Sequence, residues 1–528
     1  MHMREHDSMD TESDGAVGNF FFRIFTVLLF AALTVGGAAF AVYMLATSTS
    51  VSMLLLAIVF LLMALVSGFF NVTSAMLYYR SYFYYRHIKE ISDGLTPLRN
   101  FPTVAVVVPV YNESTEMVKR NMLQLKSMDY PKSKMCFYIL DDSTNTRTTE
   151  ELRDFSESNG IVLIHRENRS GFKAGAFNNM LKYSSEEFVA IFDADEYLTN
   201  RSFLKALIPY FSDKQMAYVQ TRKSSFNGTF FSNSVKLFDD FFFTFIQPAR
   251  AFNNTAIFAG SCGVIRRSAL DKVGGFPEYV VEDTFFSFEA DINNYKGLYI
   301  PKIYAYGMPI TTFTALARQQ WRYNYGDTQF LRYFINKLIS KKVKLRSRIS
   351  KVDYVAHGFG LNYLSVMLVL STIAAVLIVF SNFSFAHMSI PQLLVASTMQ
   401  QSVELLGFTT FVLSLFVPVI LTKVYFKSIS RGIMVFVLNF ALAIVRFKAA
   451  IAAVFGVDPA MHWHRVKERS KHNASFSLFN TPAEICFASA MLGAGYVAFY
   501  FNNIAGSLWL AWYGVMYLAT TLLIYKYG

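Results

Sequence analysis

Two long apolar segments near the start of the chain constrain its fold more than any other sequence feature. Residues 20–46 and 51–79 are each long enough to cross a bilayer as a helix, which takes about 20 apolar residues, and only the short loop 47–50 separates them. The first segment is longer than a signal-peptide core and lacks a basic region before it. We therefore predict a transmembrane hairpin at 20–79, preceded by a polar N-terminal tail at 1–19.

The C-terminal part of the chain repeats this apolar pattern. Four more segments of membrane-spanning length occupy 361–380, 403–422, 484–501 and 508–525. Because 53% of the residues are hydrophobic and only 16% are charged, the composition is that of a membrane protein. We predict a membrane region with four transmembrane helices at 351–528 and a soluble domain at 80–350 between the two bundles.

The placement of lysine and arginine predicts which side of the membrane each part faces, because short loops that carry these residues are rarely translocated. The loops 47–50, 381–402 and 502–507 contain neither residue, whereas 80–99 contains three arginines and one lysine, and 337–351 contains five lysines and two arginines. We therefore expect a multi-pass plasma-membrane protein with a cytoplasmic soluble domain and cytoplasmic termini. Lipid headgroups then account for the net charge of +12, and no nucleic-acid partner is expected.

One apolar segment, 432–455, does not fit a simple count of spans. It is long enough to cross the membrane, yet it contains Arg446 and Lys448 and has basic clusters on both flanks. A helix lying in the cytoplasmic interface accommodates both its apolar face and its cations, and a seventh span is the alternative. A cytoplasmic loop at 458–481 follows. The three cysteines are widely spaced, and we expect buried thiols.

The soluble domain alternates short β-branched segments with helical ones, which is typical of a mostly parallel, doubly wound α/β sheet. The predicted strands are 103–108, 135–140, 162–165, 188–192 and 216–220, and the helices between them are 115–128, 148–159, 173–182 and 201–211. In such sheets the ligand binds beyond the carboxyl ends of the strands. The residues that follow each strand are therefore the candidates for chemistry.

The first two predicted strands end in polar motifs. VPVYNE places Tyr111 and Glu113, and DDS places Asp141 and Asp142, at the same edge of the sheet. A carboxylate there can accept hydrogen bonds from a nucleobase imide or a ribose hydroxyl. Helix capping or turn formation explains either motif equally well when it is taken alone.

A basic, glycine-containing segment follows the third predicted strand. In HRENRSGFKAGAFNN, Arg166, Arg169 and Lys173 lie beside Gly171 and Gly175 where a helix begins. Cations and free backbone amides at a helix start suit a diphosphate. Basic helix starts are also common without a ligand.

The fourth predicted strand ends in the motif DAD. Asp193 and Asp195 can share a hard divalent cation, Mg²⁺ or Mn²⁺, that bridges phosphate oxygens. Solvated loop carboxylates are the alternative explanation of such a pair.

Two later motifs complete the set of candidates. Gly260 and Ser261 offer close backbone approach to a substrate, or a tight turn. Glu282 and Asp283 precede a predicted helix, where a carboxylate can cap the helix or accept a proton from a hydroxyl nucleophile.

With QQWRY at 319–323, these motifs resemble the membrane-integrated, processive family 2 glycosyltransferases, the group of cellulose, mannan, chitin and hyaluronan synthases. The motifs that carry the resemblance, in the family's order, are VPVYNE, DDS, KAGAFN, DAD, GS, ED and QQWRY. The resemblance covers most of the chain. It implies a GT-A type catalytic domain joined to a transmembrane bundle, and an inverting hexosyltransferase that uses a nucleotide sugar and a divalent cation.

The resemblance also implies a role for each motif residue. The donor nucleotide would be bound by Tyr111, Glu113, Asp141, Asp142, Lys173 and Asn178. Asp193 and Asp195 would hold the metal, and Asp283 would be the general base. The acceptor and the diphosphate would contact Gly260, Ser261, Glu282, Gln319, Gln320, Trp321, Arg322 and Tyr323. Tyr323 stands where the family has tryptophan, and the family's gating-loop pattern has no clear counterpart in 458–481.

The predicted function is elongation of a β-linked polysaccharide at the cytoplasmic face, with extrusion through the protein's own helices. The motifs are compatible with a UDP- or a GDP-sugar donor, and with a growing glycan or a glycolipid as acceptor. One alternative is transfer of a single sugar to a lipid or lipid-linked acceptor. A transporter or scaffold is disfavoured because few ionisable residues apart from Glu404 occur in the apolar segments.

Overall fold

The computed structural model describes residues 20–339, 427–457, 482–500 and 504–528, together with helical residues within 363–377 and 413–426. The predictions for the tail 1–19, most of the lysine-rich segment 337–351, the loop 381–402 and the loop 458–481 lie outside the described residues. Most residues of the predicted spans 361–380 and 403–422 lie outside them as well.

The predicted N-terminal hairpin consists of helices α1 (Phe20–Thr47) and α2 (Val51–Asp93). Ser50 begins α2, since its hydroxyl accepts a hydrogen bond from the Met53 amide at 3.2 Å. With 43 residues, α2 is about 65 Å long, twice what a bilayer requires. The predicted boundary at 79 therefore falls inside α2, whose C-terminal end enters the core of the soluble domain through Tyr84 and Ile88.

The soluble domain is built on an eight-stranded sheet. Its strands are β1 (Val104–Val110), β2 (Met135–Asp141), β3 (Val162–His165), β4 (Phe188–Ile191), β5 (Tyr197–Leu198), β6 (Met216–Ser225), β7 (Gly263–Arg266) and β8 (Lys296–Gly307). Its helices are α3 (Thr115–Lys126), α4 (Thr146–Asn159), α5 (Phe172–Met180), α6 (Phe203–Leu207), α7 (Phe230–Phe241), α8 (Gln247–Phe252), α9 (Arg267–Val273) and α10 (Glu282–Ile292). Short 3₁₀ turns at Lys132–Lys134 and Ile208–Ser212 and a π-helical turn at Phe242–Ile246 complete the description.

The strand order is β3-β2-β1-β4-β7-β6-β8-β5. β1 runs parallel to β2 and β4, β2 runs parallel to β3, and β6 runs parallel to β8. β7 is antiparallel to both of its neighbours, and β5 is antiparallel to β8. The predicted α/β fold class is confirmed, and the sheet is more mixed than expected, because the short strand β7 was not foreseen within FAGSCGVIRR.

Helices cover both faces of the sheet, as the alternation of segments predicted. Val104, Val106 and Val108 of β1 belong to a core cluster that includes Val118 and Leu125 of α3. Ala105 and Val107 point to the other face and pack in a second cluster with Phe177 of α5 and Phe286 of α10. A strand buried on both faces explains why the sequence of β1 is an uninterrupted apolar run.

The soluble domain and the membrane helices meet through α11 (Phe313–Ile339), α12 (Ile429–Val454), α13 (Pro482–Tyr500) and α14 (Ile504–Tyr527). Leu438 and Leu442 of α12 pack with Phe231 of α7 and Leu316 of α11. By length and composition, four described helices could cross a membrane, namely those over Arg23–Thr47, Val51–Asp93, Ile429–Val454 and Ser507–Tyr527, while Glu484–Tyr500 is apolar but shorter. The chain is therefore a membrane protein.

The cysteine prediction was partly wrong. Cys262 is buried beside the carboxyl end of β4, whereas Cys136 and Cys486 are exposed. Cys136 is the second residue of β2, next to the end of the strand, and its side chain is exposed there. Cys486 lies on α13, which packs mainly on α14.

Candidate active site

The predicted motifs meet at one edge of the sheet. The carboxyl ends of the parallel strands β1, β2 and β4 lie side by side, which places Tyr111, Asp142 and Asp193 on neighbouring strand exits. Gly260 and Ser261, just before β7, lie beside β4, because the Cys262 amide donates to the Ile191 carbonyl at 2.8 Å. This is the position where open α/β sheets bind their ligands.

Tyr111 and Arg169 form a stacked pair on one side of the site. The guanidinium carbon of Arg169 lies 3.2 Å from the centre of the Tyr111 ring, a close cation–π contact. The Tyr111 amide donates to the Glu113 carboxylate. Burial raises the pKa of Glu113, and the hydrogen bond from Tyr111 opposes that rise. Sequence reasoning noted Arg169 only as a phosphate contact, and the structure instead stacks it on the predicted nucleoside residue.

The two adjacent aspartates after β2 are bonded within the protein. Asp141 is fully buried, and its carboxylate accepts hydrogen bonds from the Ser143 amide at 3.0 Å and the Thr149 hydroxyl at 2.7 Å. His165 Nδ1 is a further neighbour of this carboxylate at 2.8 Å. Arg166 holds both oxygens of Asp142, at 2.8 and 2.6 Å. Both aspartates thus shape the strand exit by fixing the segments that follow it.

The segment before α5 turns sharply to deliver Lys173 to the site. Gly171 has a left-handed backbone with φ of +69°, and a Cβ on it would lie 2.6 Å from Cδ of Glu278. A Cβ on Gly175 would overlap the Ser170 carbonyl. Neither position tolerates another residue without a shift, which explains the glycine spacing that the sequence showed.

Asn178 does not face the site. Its amide nitrogen donates to the Phe276 carbonyl at 2.8 Å, and its amide oxygen accepts from the Phe276 amide at 2.7 Å. The residue ties α5 to the loop before α10. Its predicted contact with the nucleotide is therefore not supported by this geometry, because both ends of the side chain are occupied by backbone groups.

Asp193 is the centre of a charged cluster. Its Oδ1 accepts from Lys173 Nζ at 2.6 Å, and its Oδ2 accepts from the Ser261 hydroxyl at 2.8 Å and from Lys223 Nζ at 3.3 Å. Burial opposes ionisation of Asp193, but the two ammonium groups outweigh it and hold the pKa well below its usual range. Asp193 is therefore ionised.

Two members of this cluster, Glu196 and Lys223, were missed by sequence reasoning. Glu196 is buried; it accepts from the Asp193 amide at 2.8 Å and from the Ser261 hydroxyl at 2.7 Å. Lys223 Nζ lies 3.1 Å from the Glu196 carboxylate. Glu196 follows DAD directly and could have been found from its spacing, whereas Lys223 lies on β6 and belongs to none of the recognised motifs.

Asp195 differs from Asp193 in its surroundings. Within the described part of the chain it forms no ion pair. Burial, together with the negative charges of Asp193 and Glu196, raises its pKa to about 6. A cation bound beside Asp195 would favour its ionised form and so oppose the effects of burial and of the neighbouring negative charges on its pKa.

Asp283 faces the Asp193 cluster across Gly260. A Cβ on Gly260, whose φ is +79°, would lie 3.1 Å from Asp283 Oδ2 and 3.8 Å from Lys173 Nζ. A side chain at this position would crowd the Asp283 carboxylate, and its absence lets that carboxylate and the Lys173 ammonium group both lie close to the Gly260 backbone. Burial raises the pKa of Asp283, and burial with the Asp283 charge raises the pKa of Glu282 to about 7.

The QQWRY segment lies on α11, and its residues face two ways. Arg322 and Tyr323 point toward the site, since both are close enough to Asp283 to interact with its charge. Within the described residues Arg322 forms no ion pair, so its guanidinium is available to a ligand. Gln319 is half-buried.

Gln320 and Trp321 face away from the site, against α12. The Gln320 side-chain oxygen accepts two hydrogen bonds from Arg446, at 3.2 and 2.7 Å. Trp321 is buried in a cluster with Tyr325, Ala449 and Ala453. The expectation that these two residues contact the acceptor is therefore not supported, because the Gln320 side chain is bonded to Arg446 and the Trp321 ring packs against α12.

The charges of the site suit a metal-bound diphosphate. Three cations face five carboxyl groups, namely Lys173, Lys223 and Arg322 against Asp193, Asp195, Glu196, Glu282 and Asp283. No group of three metal-binding side chains occurs among the residues that the structure describes. One or two carboxylates completed by substrate phosphates are the usual way in which Mg²⁺ is held, and the Asp193–Asp195 pair fits that pattern.

Comparison with known sequences finds a family profile that matches part of the soluble domain. Residues 105–274 match the sequence profile of "Glycosyl transferase family 2". The cellulose synthase catalytic subunit (UDP-forming) of Pseudomonas fluorescens strain SBW25 is 31% identical over 272 residues, 50% of this chain and 36% of that protein. A probable glucomannan 4-beta-mannosyltransferase of Oryza sativa subsp. japonica is 30% identical over 275 residues, 49% of this chain and 46% of that protein. The matched region spans less than half the length of these relatives.

Among solved structures, a mannosyltransferase from Pyrobaculum calidifontis in complex with GDP-Man and Mn²⁺ is similar to this chain. It is 18% identical, with a TM-score of 0.49, and the similarity covers 75% of this chain and 100% of that one. The crystal structure of residues 1–349 of TarS from S. aureus covers 64% of this chain and 90% of that one, at 17% identity and a TM-score of 0.34.

Proposed function

We propose that this chain, whose residues 105–274 form a glycosyl transferase family 2 domain, is an inverting hexosyltransferase that elongates a β-linked polysaccharide from a nucleotide sugar. The observation that carries the proposal is the closeness of Asp283 and Lys173 at Gly260, where Asp283 Oδ2 and Lys173 Nζ lie 3.1 and 3.8 Å from the position of a Cβ. Inverting transfer needs a base and a leaving-group site on opposite faces of one sugar ring. We assign the base to Asp283 and the leaving-group site to Lys173.

The proposed reaction uses Asp283 as the general base. A hydroxyl of the acceptor attacks C1 of the donor sugar, its proton passes to Asp283, and the bond between C1 and the diphosphate oxygen breaks. Lys173 and Arg322 stabilise the negative charge that develops on the departing diphosphate, where preorganised charges act most strongly. The raised pKa of Asp283 suits a group that must accept this proton.

A divalent cation would bind at Asp195, with Asp193 beside it. When bound, it supplies positive charge to the diphosphate oxygens. The support is the donor set itself: two carboxylates after a buried strand, one of them without a paired cation in the described part of the chain. Mg²⁺ and Mn²⁺ both accept such oxygen ligands.

The nucleoside would lie against Tyr111, on the side of Arg169 and Glu113. Asp141 and Asp142 act in this proposal by shaping the strand exit, because their oxygens are already bonded to the Ser143 amide, the Thr149 hydroxyl and Arg166. A UDP- or a GDP-sugar fits this description. The acceptor would contact Gln319, Tyr323 and Glu282.

The proposed location is the cytoplasmic face of the plasma membrane. Two contacts support a common side for the catalytic domain and the chain ends. The Arg23 guanidinium donates to the Ser81 hydroxyl at 2.7 Å, on the half of α2 nearest the catalytic domain. The Tyr527 ring stacks on Phe231 of α7 at 4.6 Å. Extrusion of the product through the membrane helices is part of the same proposal.

The direct test is to incubate membranes that contain the protein with UDP-glucose, UDP-N-acetylglucosamine or GDP-mannose and to measure the release of UDP or GDP. One donor should give release, and Asp283→Asn should lower it at least ~100-fold, because a general base contributes about that much or more. Asp271→Asn is the matched control, since that carboxylate forms an exposed ion pair with Arg267 on α9.

Product length separates the two acceptor classes. With labelled donor, a polymer supports the synthase proposal, and a single sugar on a lipid would replace it with non-processive transfer. No release from any donor by the wild type, or unchanged release by Asp283→Asn, would contradict the proposed reaction.

A further inference from the structure

Lys223 lies inside the site, and the reaction above assigns it no task. It extends from β6, and its ammonium group contacts the Asp193 carboxylate at 3.3 Å, the Glu196 carboxylate at 3.1 Å and the Ser261 hydroxyl. Three contacts converge on one side chain that is about a quarter exposed. Such a lysine has little freedom, and its position is set by the cluster.

The contacts of Lys223 distinguish the two aspartates of the DAD motif, because Lys223 pairs with Asp193 and not with Asp195. Lys173 occupies Oδ1 of Asp193, and Ser261 and Lys223 occupy Oδ2. Glu196 is held in the same way, by Ser261, Lys223 and the Asp193 amide. Asp195 is bound by none of these cations in the described part of the chain. Of the three carboxylates at Asp193, Asp195 and Glu196, only that of Asp195 has no lysine partner in the described part of the chain and can bind an added cation.

We propose that Lys223 is a positioning residue that keeps Asp193 and Glu196 from coordinating the divalent cation, so that the cation is shared between Asp195 and the donor diphosphate. The inference rests on the proposed function, because it assumes a metal-bound diphosphate at this site. Lys223 acts through the two carboxylates and need not touch the substrate.

The physical reason lies in the number of carboxylate ligands. Affinity for a hard cation rises with the number of charged oxygens that can reach it. Without the Lys223 charge, Asp193 Oδ2 and Glu196 would keep only neutral donors, from Ser261 and the Asp193 amide, and would compete more strongly for the cation beside Asp195. The cation would then bind more tightly in the absence of donor, and fewer of its coordination positions would remain for the diphosphate.

The experiment measures Mn²⁺ binding to the full-length protein in detergent, without any sugar nucleotide, from the electron paramagnetic resonance signal of free Mn²⁺. Lys223→Met should bind Mn²⁺ about tenfold more tightly than the wild type, as expected for removing a unit charge a few ångströms from a divalent ion in a hydrated site. Lys223→Gln should behave in the same way, and Lys223→Arg should stay close to the wild type. In turnover assays, Lys223→Met should raise the KM for the donor.

Lys296→Met is the matched control. Lys296 also forms an ion pair, with Asp213 at 3.0 Å, but it lies at the start of β8 and away from the site. This variant should leave Mn²⁺ affinity and donor KM unchanged. Thermal unfolding of each variant shows whether it is folded. If Lys223→Met does not fold, Lys223→Gln takes its place in the Mn²⁺ measurement.

The outcomes separate this inference from the proposed function. Unchanged or weaker Mn²⁺ binding in both folded neutral variants overturns the role of Lys223, whatever their activity, and so does an absence of Mn²⁺ binding to the wild type. A fall in activity that Lys223→Arg does not restore, without tighter Mn²⁺ binding, also overturns it, because that is the result of a purely structural role. Failure of the wild type to release UDP or GDP contradicts the proposed function and leaves the metal measurement standing on its own.

Discussion

Glu282 and Asp283 are adjacent acidic residues, buried together at the start of α10. Burial raises the pKa of both, and the Asp283 charge helps to raise the pKa of Glu282 to about 7. Lys173 and Arg322 limit this rise. The pair therefore loses its second proton at a higher pH than either residue would alone, and between the two steps one member is protonated while the other can accept a proton.

This pair sets the acid side of the pH profile. The base must be ionised to act, and burial raises the pKa of Asp283, so activity should begin to decline at a higher pH than the usual pKa of an aspartate would give. Glu282→Gln removes a neighbouring negative charge and should move the decline to lower pH. The measurement is nucleoside diphosphate release against pH at saturating donor, and a decline at the same pH in both proteins would contradict the coupling.

Glu289→Gln is the control for that experiment. Glu289 lies two turns further along α10 and pairs with Lys337 at 3.1 Å. Its substitution should leave the position of the acid decline unchanged. A shift in both variants would point to a general effect on α10 and not to the Glu282–Asp283 pair.

Individual residues also show how far sequence reasoning could reach. Asp193, Ser261, Asp283 and Arg322 were predicted as site residues, and the structure brings them together because strand exits and helix starts are where such motifs project. Lys223 was missed because a lone lysine in a strand has no pattern, and its partners come from β4 and from the segment before β7. Asn178 was misjudged because an amide can bond backbone groups as well as a ligand, and only the fold brings Phe276 to it.

At the scale of elements, α10 and α11 pack closely against each other at Gly326, three residues after the QQWRY segment. A Cβ on Gly326 would lie 2.5 Å from Cγ1 of Val281, the residue immediately before Glu282. The glycine therefore allows α11 to approach the start of α10 closely. That contact helps to place Asp283 opposite Gly260.

Gly326→Ala should disturb this contact. In the middle of an exposed helix, a change from glycine to alanine would stabilise the folded protein by about 1 kcal/mol. Here the added methyl group meets Val281, and overpacking of this kind destabilises the folded protein by about 1–3 kcal/mol. We expect a lower thermal midpoint and a lower kcat. Val281→Ala combined with Gly326→Ala should recover most of both losses, and a double variant no better than Gly326→Ala would argue against the Val281 contact.

Gly37→Ala is the control at the same scale. Gly37 lies within α1, and a Cβ there meets no atom within 4 Å. The substitution should leave stability and activity unchanged or slightly improved. The two glycines look alike in the sequence, since each lies in a helical stretch.

Elements were easier to predict than the pairing between them. The strands β1 to β4 and β6 were predicted because a buried parallel strand is a continuous apolar run. β7 was not predicted, because its four residues, which follow a glycine-containing turn, are too few to show a periodic pattern of apolar side chains. The two faces of QQWRY could not be assigned either, since the partner of Gln320 is Arg446, 126 residues further along the chain.

At the scale of the whole molecule, α12 joins the catalytic domain to the membrane bundle. Its middle packs on α7 and α11 through Leu438 and Leu442. Beyond its C-terminal end, the Val457 carbonyl accepts from the Tyr325 hydroxyl at 2.7 Å. From residue 438 to 457 the chain thus stays beside α11, over a distance of about 28 Å.

This contact bears on the two sequence interpretations of α12. A transmembrane helix would carry one end about 30 Å away from the soluble domain, whereas α12 stays beside α11 from residue 438 to 457. Length and composition alone allow it to span. The contacts favour the interfacial helix, with Arg446 bonded to Gln320 and not exposed to lipid.

Cysteine labelling tests this arrangement in intact cells. In a background with Cys136, Cys262 and Cys486 replaced by serine, single cysteines at the exposed positions Ser430 and Val457 should both resist a membrane-impermeant maleimide until the cells are opened, because both ends of an interfacial helix lie on the cytoplasmic side. Ser50→Cys, in the loop between α1 and α2, should label in intact cells and is the positive control.

If one of the two α12 positions labels from outside and the other from inside, α12 crosses the membrane. The last helices must then run in the opposite direction, which would separate Tyr527 from its contact with Phe231. Labelling of both positions from the same side as Ser50→Cys would reverse the sidedness proposed for the whole protein.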